Sequence, residues 1–358
     1  MPKNVDLPWR TGSATGIGSL PYDDPVEAAR IVLGELSDLP HLPELPTRGP
    51  GADMVGRSCG LLVELGVDLQ PAGWRLTDRE GLDQRRSRSM LARDLDAVEE
   101  LTQGYVGPLK LQVVGPWTMA AGIERPRGGR ILGDPGARRD VAQSLAEGLG
   151  EHITQVRKRV PGADLVVQLD EPSLPGVLEG SVPTASGFSR YRVVEESEAL
   201  DLLQSVIGRV AAEDALPVVH CCAARMPYAL LARAGARGLS FDLGLVGEAA
   251  LEPLAEAVED GVALFVGAVP SVRPAPAVGA GRRGRPGPGE DSGDGPTDSG
   301  VARSVEGFWH RLGFGADDAA RGCVVTPTCG LAGADPDWAR TAMALCRKAA
   351  AHLDNRTT

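Results

Sequence analysis

The stretch PVVHCCAAR, residues 217–225, crowds a histidine and two cysteines at the end of an apolar run, in a chain of 358 residues with only five His and six Cys. Imidazole nitrogen and thiolate sulfur are the donors that Zn²⁺ accepts in tetrahedral sites. Residues two apart on a strand point to the same side, so His220 and Cys222 face one ligand together while Cys221 points away. Cys329 closes another apolar run, CVVTPTC, and Asp242 closes LSFD, where it offers a carboxylate oxygen. His220, Cys222, Asp242 and Cys329 therefore form a candidate zinc set. Cys59, Cys221, Cys323 and Cys346 read as small apolar residues of the core.

These side chains need elements that bring them to one place. Eight short apolar runs, at 16–21, 42–45, 109–117, 164–174, 216–222, 238–245, 263–269 and 323–329, read as strands covered on both faces, because they lack polar alternation. Amphipathic stretches at 24–36, 94–105, 136–160, 196–213, 224–236 and 251–261 carry apolar residues near helical spacing. Strand and helix in repeated alternation predict an α/β fold of the (β/α)8 TIM-barrel type, with its site at the C-terminal ends of the strands. An open doubly wound sheet is the alternative. The whole of 1–358 is expected to be one domain, since barrels of this kind routinely exceed 250 residues. Residues 271–300 depart from it: dominated by Gly, Pro, Ala, Ser, Asp and Arg, they hold too little apolar surface to offset the entropy of ordering, and a disordered insertion on the barrel rim is expected.

The formal net charge of −11 and a pI near 5.1 exclude nucleic acid and anionic membrane as partners, because phosphate repulsion would act over most of the molecule. Small-molecule chemistry remains. The sequence has no apolar run of membrane-spanning length, and MPKNVDLPWR lacks the apolar centre of a signal peptide, so a cytoplasmic location with reduced thiols is expected. Neither a G-x-S-x-G elbow nor a P-loop is present, and the glycine-rich GGRILGDPG at 128–136 reads as a loop.

Four motifs, in this order, carry a family resemblance: TGIGSLP at 15–21, LKLQVVGPWT at 109–118, VVQLDEPSL at 166–174, and the H-x-C and P-x-C-G-L pair at 220–222 and 327–331. In them the chain resembles the cobalamin-independent methionine synthases, specifically their C-terminal catalytic barrel in its short single-domain form. The resemblance implies a zinc-dependent transfer of a methyl group to the thiol of homocysteine, with Zn²⁺ held by His220, Cys222, Cys329 and a carboxylate. That carboxylate is Asp242 here, one methylene shorter than the family's glutamate. It also implies that Ile17, Ser19 and Asp170 hold the amino-acid part of homocysteine, and that no catalytic residue is needed beyond the metal site. The chemistry agrees, since zinc deprotonates a thiol while leaving its sulfur nucleophilic, and a substrate ammonium requires a buried carboxylate.

The resemblance has departures. The family's histidine at the end of the seventh strand, proton donor to the leaving folate, has no counterpart in FVGAVPS, and Arg48 and Gly49 stand where acids are expected before DMV. His310, in GFWHRLGF, is a substitute proton donor or a helix-surface residue. Three readings follow: methyl transfer to homocysteine from 5-methyltetrahydrofolate; zinc-dependent thiol methylation from a methylcorrinoid protein or another donor; and a degenerate metal-binding barrel without this activity.

Overall fold

The computed structural model describes residues 7–275 and 295–355. Helix α1 (Pro25–Glu35) opens on Asp24, whose carboxylate accepts the Val26 and Glu27 N–H groups, and Pro25 occupies the first helical position, where an N–H is not needed. After α2 (Met54–Cys59) an antiparallel hairpin, β1 (Gly66–Gln70) and β2 (Gly73–Thr77), precedes the long helix α3 (Leu82–Leu101). Strand then alternates with helix: β3 (Gly107–Val114), α4 (Pro116–Gly122), α5 (Pro135–Arg159), β4 (Ala163–Asp170), α6 (Leu174–Leu178), α7 (Glu196–Ala212), β5 (Leu216–Cys221), α8 (Tyr228–Arg233), β6 (Gly238–Asp242), α9 (Leu251–Glu259) and β7 (Ala263–Val269). Helices α10 (Asp298–Arg311) and α11 (Ala316–Gly322) lead to β8 (Cys323–Pro327), and α12 (Pro336–Asn355) ends the described chain. Among the described residues no helix is long and apolar enough to cross a membrane.

Strands β3 to β8 pair in chain order into one six-stranded parallel sheet. The strands expected at 16–21 and 42–45 do not form. Their place is taken by three isolated parallel bridges: Ala14 with Val325 of β8, Ser19 with Glu44, and His41 with Lys110 of β3. Two backbone hydrogen bonds make each junction, as where Leu20 donates to Glu44 (2.9 Å) and Glu44 to Gly18 (3.1 Å). Composition explains the interruption. Pro40, Pro43 and Pro46 have no N–H to donate and Gly16 and Gly18 bear no side chain to pack, so neither segment sustains a ladder. Of the expected 271–300 insertion, residues 276–294 lie outside the described residues. At its edges, Ser271 donates its N–H to Thr328 (3.2 Å) and residues 298–300 already belong to α10, capped by Thr297.

The odd-numbered residues of β3 and β4, such as Leu109, Leu111, Leu165 and Val167, pack into the apolar core formed with the helices. The opposite face of the sheet is equally buried but divided in composition. Toward the strand N-termini it carries Val166, Val218, Ala263, Phe265 and Val324, closed off by Leu39 and by Trp9, whose ring meets Phe265 edge-on at 5.3 Å. Toward the C-termini the same side becomes polar, with Lys110, Gln112, Gln168, Asp170, His220, Ser240 and Thr326 all buried. The apolar layer is thus a floor beneath a polar layer. Removing its seal leaves a cavity among side chains that cannot collapse, so Trp9→Ala is expected to lower the unfolding free energy by about 3 kcal/mol. Urea denaturation measures it; a loss under about 1 kcal/mol would show that the floor closes without Trp9.

Candidate functional site

Register places the first three polar groups. Parallel pairing sets Asp170 of β4 opposite His220 of β5, and His220 opposite Ser240 of β6, so the three stand in one row on the polar side. His220 Nδ1 lies 2.8 Å from Ser240 Oγ, while its buried Nε2 has no hydrogen-bond partner. A Ser hydroxyl that accepts from Nδ1–H leaves the Nε2 lone pair for a ligand, which is the usual support for a metal-binding imidazole.

Cys222, one residue past β5, and Cys329, two residues past β8, bring their sulfurs to 3.0 Å. In a flat sheet strands three places apart lie about 14 Å from each other, so the sheet must curl to join them. The His220, Cys222 and Cys329 ligand atoms all lie within 4.8 Å of one another. The turn carrying Cys329 is pinned to the first motif, because Leu331 donates its N–H to Ser19 O at 2.8 Å. A Cβ at Gly330 would come within 2.1 Å of Ser19 Oγ, so a larger residue there would require the Ser19 hydroxyl to turn away. Cys221 faces the apolar core, and burial there pushes its thiol up to about 12.

The two site sulfurs share a proton. Their contact, together with the Gly330 N–H, lowers the Cys329 thiol to about 4, and the same contact pushes Cys222 up. Asp242 is not gathered into the three-residue group. Its Oδ1 accepts the Gly244 N–H at 2.8 Å and caps the turn after β6, although burial and the nearby Cys329 charge raise its pKa.

Next to this cluster lies a network of buried charge. Lys110 Nζ donates to Ile17 O (2.9 Å) and Gln168 Oε1 (2.7 Å); Gln168 Nε2 donates to Ile17 O (3.0 Å) and Asp170 Oδ1 (2.7 Å). Burial and then the charge of Glu44 push the Asp170 carboxyl well above the usual range, and burial lowers Lys110 to about 7. Glu44, itself buried, lies 3.8 Å from Arg57. Ile17 is placed in this network by its carbonyl, and Ser19 lies half-buried between Glu44 and Gly330. The neighbouring Glu171 has a structural duty: its carboxylate accepts the Trp117 and Thr118 N–H groups and the Thr118 hydroxyl at the start of α4. Arg48 pairs with Asp94 at 2.8 Å, and His310 is exposed in the last turn of α10.

Sequence reasoning missed Lys110, Gln168, Ser240 and Glu44. The signal for the first two was present. In LKLQVV and VVQLD the polar residues fall at every second position, which marks one strand face as polar even though the runs are apolar overall.

No protein-family model matches the chain, and no curated protein sequence matches it. Among solved structures it is similar to a B12-independent methionine synthase from Shewanella sp. W3-18-1 in complex with selenomethionine. That likeness has a TM-score of 0.60 at 12% identity and covers 97% of this chain and 99% of that one. The two share a fold, in agreement with the family resemblance read from the motifs. A methylaspartate ammonia lyase from Clostridium tetanomorphum is more distant, with a TM-score of 0.45 at 10% identity over 96% of this chain and 60% of that one.

The shared proton is directly testable. In metal-free protein Cys329 should be alkylated rapidly at about pH 6, where an ordinary thiol near 8.5 is protonated. Since its folded pKa lies below the unfolded value, the thiolate's stabilisation is complete above the unfolded pKa and is lost as pH falls toward about 4. Cys222→Ala removes the donor and should move the onset of alkylation up by about two pH units. An onset that does not move would show that Cys222 does not hold the thiolate.

Proposed function

We propose that this chain is a zinc-dependent methyltransferase that transfers a methyl group to the thiol of homocysteine to form methionine, with 5-methyltetrahydrofolate as donor. The observation that carries this reading is the convergence of His220, Cys222 and Cys329 beside the buried carboxylate of Asp170, on paired strands. The fold is proposed to be a single (β/α)8 barrel: the bridges at Ala14, Ser19 and His41 carry the ladder from β8 round to β3 and so support eight positions. A cytoplasmic location agrees with the free thiols.

The residues fit zinc. A buried imidazole nitrogen without a partner and two sulfurs, one with its pKa lowered, make an N/S donor set, and three protein donors are the usual number for a catalytic site. Zinc bound there supplies the Lewis acidity that turns the substrate thiol into a nucleophile at neutral pH. His220, Cys222 and Cys329 would hold the metal, with Ser240 fixing the imidazole, and Asp242, whose Oδ1 accepts the Gly244 N–H, would be the supporting carboxylate. Asp170 receives the substrate ammonium, flanked by the Ile17 to Ser19 backbone. The Shewanella protein of similar fold was solved with selenomethionine, an amino acid of the expected kind.

One observation favours a second reading, with a methylcorrinoid protein or another methyl donor. No histidine stands at the end of β7, in FVGAVPS, and His310 is exposed on α10. Assaying homocysteine with 5-methyltetrahydrofolate and with methylcobalamin decides between the donors. Methionine from neither, in protein that binds no zinc, would leave the degenerate barrel.

Two outcomes are expected of variants. His220→Ala, Cys222→Ala and Cys329→Ala should each lose most bound zinc and Cys221→Ala none, whereas Asp242→Ala should weaken zinc by about tenfold, as a supporting group does. Zinc analysis of purified protein measures this, and full retention in Cys222→Ala would refute the site. Asp170→Asn should weaken homocysteine binding by about 2 kcal/mol with zinc content unchanged, read by calorimetric titration. Unaltered affinity would remove Asp170 from the pocket.

A further inference from the structure

Lys110 is wholly buried in the polar layer, directly above the apolar floor, and it touches neither a metal-site residue nor Asp170 by hydrogen bond. Its reach is indirect. The Gln168 amide uses all of its groups: Oε1 accepts from Lys110 Nζ, and Nε2 donates to Ile17 O and to Asp170 Oδ1. A glutamine amide presents oxygen or nitrogen equally well in shape, and its neighbours decide which. Ile17 O and a carboxylate both demand the NH₂ group, and Lys110, as a donor, demands the oxygen. Both bonds from Nζ need only two hydrogens, so they form with the amine charged or neutral.

We propose that Lys110 is a positioning residue of the amino-acid pocket: through the Gln168 amide it holds Asp170 Oδ1 and the Ile17 carbonyl in place, leaving Asp170 Oδ2 to meet the ammonium of an amino-acid substrate. This rests on the homocysteine reading above. Both lone pairs of Ile17 O are taken by Lys110 and Gln168, so that carbonyl serves as an anchor for the first motif and the ammonium turns to Asp170. The relay also accounts for an amine placed where the layer below is entirely apolar, at a desolvation cost that an aliphatic side chain would avoid.

The test is a double-mutant cycle on zinc-loaded, full-length protein, with L-homocysteine binding read by calorimetric titration and zinc content measured alongside. Lys110→Met and Gln168→Leu are each expected to weaken homocysteine about tenfold or more with zinc stoichiometry unchanged, and the double variant to bind no more weakly than Gln168→Leu, because both act along one path. Losses that add, or an unchanged affinity in Lys110→Met, would overturn the relay. Should Lys110→Met not fold, Gln168→Glu keeps the acceptor for Lys110 while removing the N–H toward Asp170. The same loss of affinity in that folded variant supports the relay, and an unchanged affinity overturns it. Wild-type protein that binds no homocysteine overturns the functional reading and the relay together; wild-type binding that Lys110→Met leaves intact overturns the relay alone.

Discussion

The register of four neighbouring strands is the constraint on which the rest of the site depends. Asp170, His220 and Ser240 stand abreast because β4, β5 and β6 pair in parallel at those residues, and Lys110 and Gln168 follow from the pairing of β3 with β4. Strand side chains alternate strictly, so a slip of one residue in β5 would turn His220 and Cys222 outward and put Cys221 in their place. The apolar floor opposes such a slip. Val218, two residues before His220 on β5, would be exchanged for an outer-face residue at the same time, losing its packing with Val166, Phe265 and Val324. Packing below thus secures chemistry above.

The two segments that fail to become strands are the ones nearest the reactive groups. Residues 13–20 and 40–44 give up a continuous ladder but keep two backbone hydrogen bonds at each junction, enough to hold their place between β8 and β3. Glycines there permit contacts that a side chain would prevent: a Cβ at Gly16 would fall 2.3 Å from the His41 ring, and one at Gly330 would strike Ser19. Close backbone approach is therefore gained where regular pleating is lost. Such a trade is expected where a chain must present backbone as well as side chains to a ligand.

Charge in the polar layer is arranged so that no group stands alone. Lys110 lies within electrostatic reach of Asp170 and Glu44, Glu44 of Arg57, and Asp170 keeps the Gln168 bond. Even so, burial raises both carboxyls and lowers the amine. An incoming ammonium would stabilise the carboxylates by supplying a further cation in a region of low dielectric. The same pattern recurs at the sulfurs, where the contact with Cys222 lowers the Cys329 thiol to about 4.

The sequence by itself determined the alternation of strand and helix, six of the eight expected strands, and the candidate metal-binding set His220, Cys222 and Cys329 that the fold brings together. It could do so because apolar runs and two-residue spacing are local properties, and because scarce residue types stood at the ends of those runs. It also assigned Cys221 to the core by the same alternation. What it could not determine was which distant groups meet. The 3.0 Å contact of Cys222 with Cys329 depends on the curl of the sheet across three strand places, and the retreat of Asp242 to the Gly244 N–H depends on a turn formed after β6. The interruption of the first two strands depended on prolines whose missing N–H matters only once a partner strand is beside them. The part of Lys110 was likewise invisible in one dimension: Ile17 and Gln168 are 151 residues apart, and only the fold makes a single hydrogen-bonded path of Ile17, Lys110, Gln168 and Asp170.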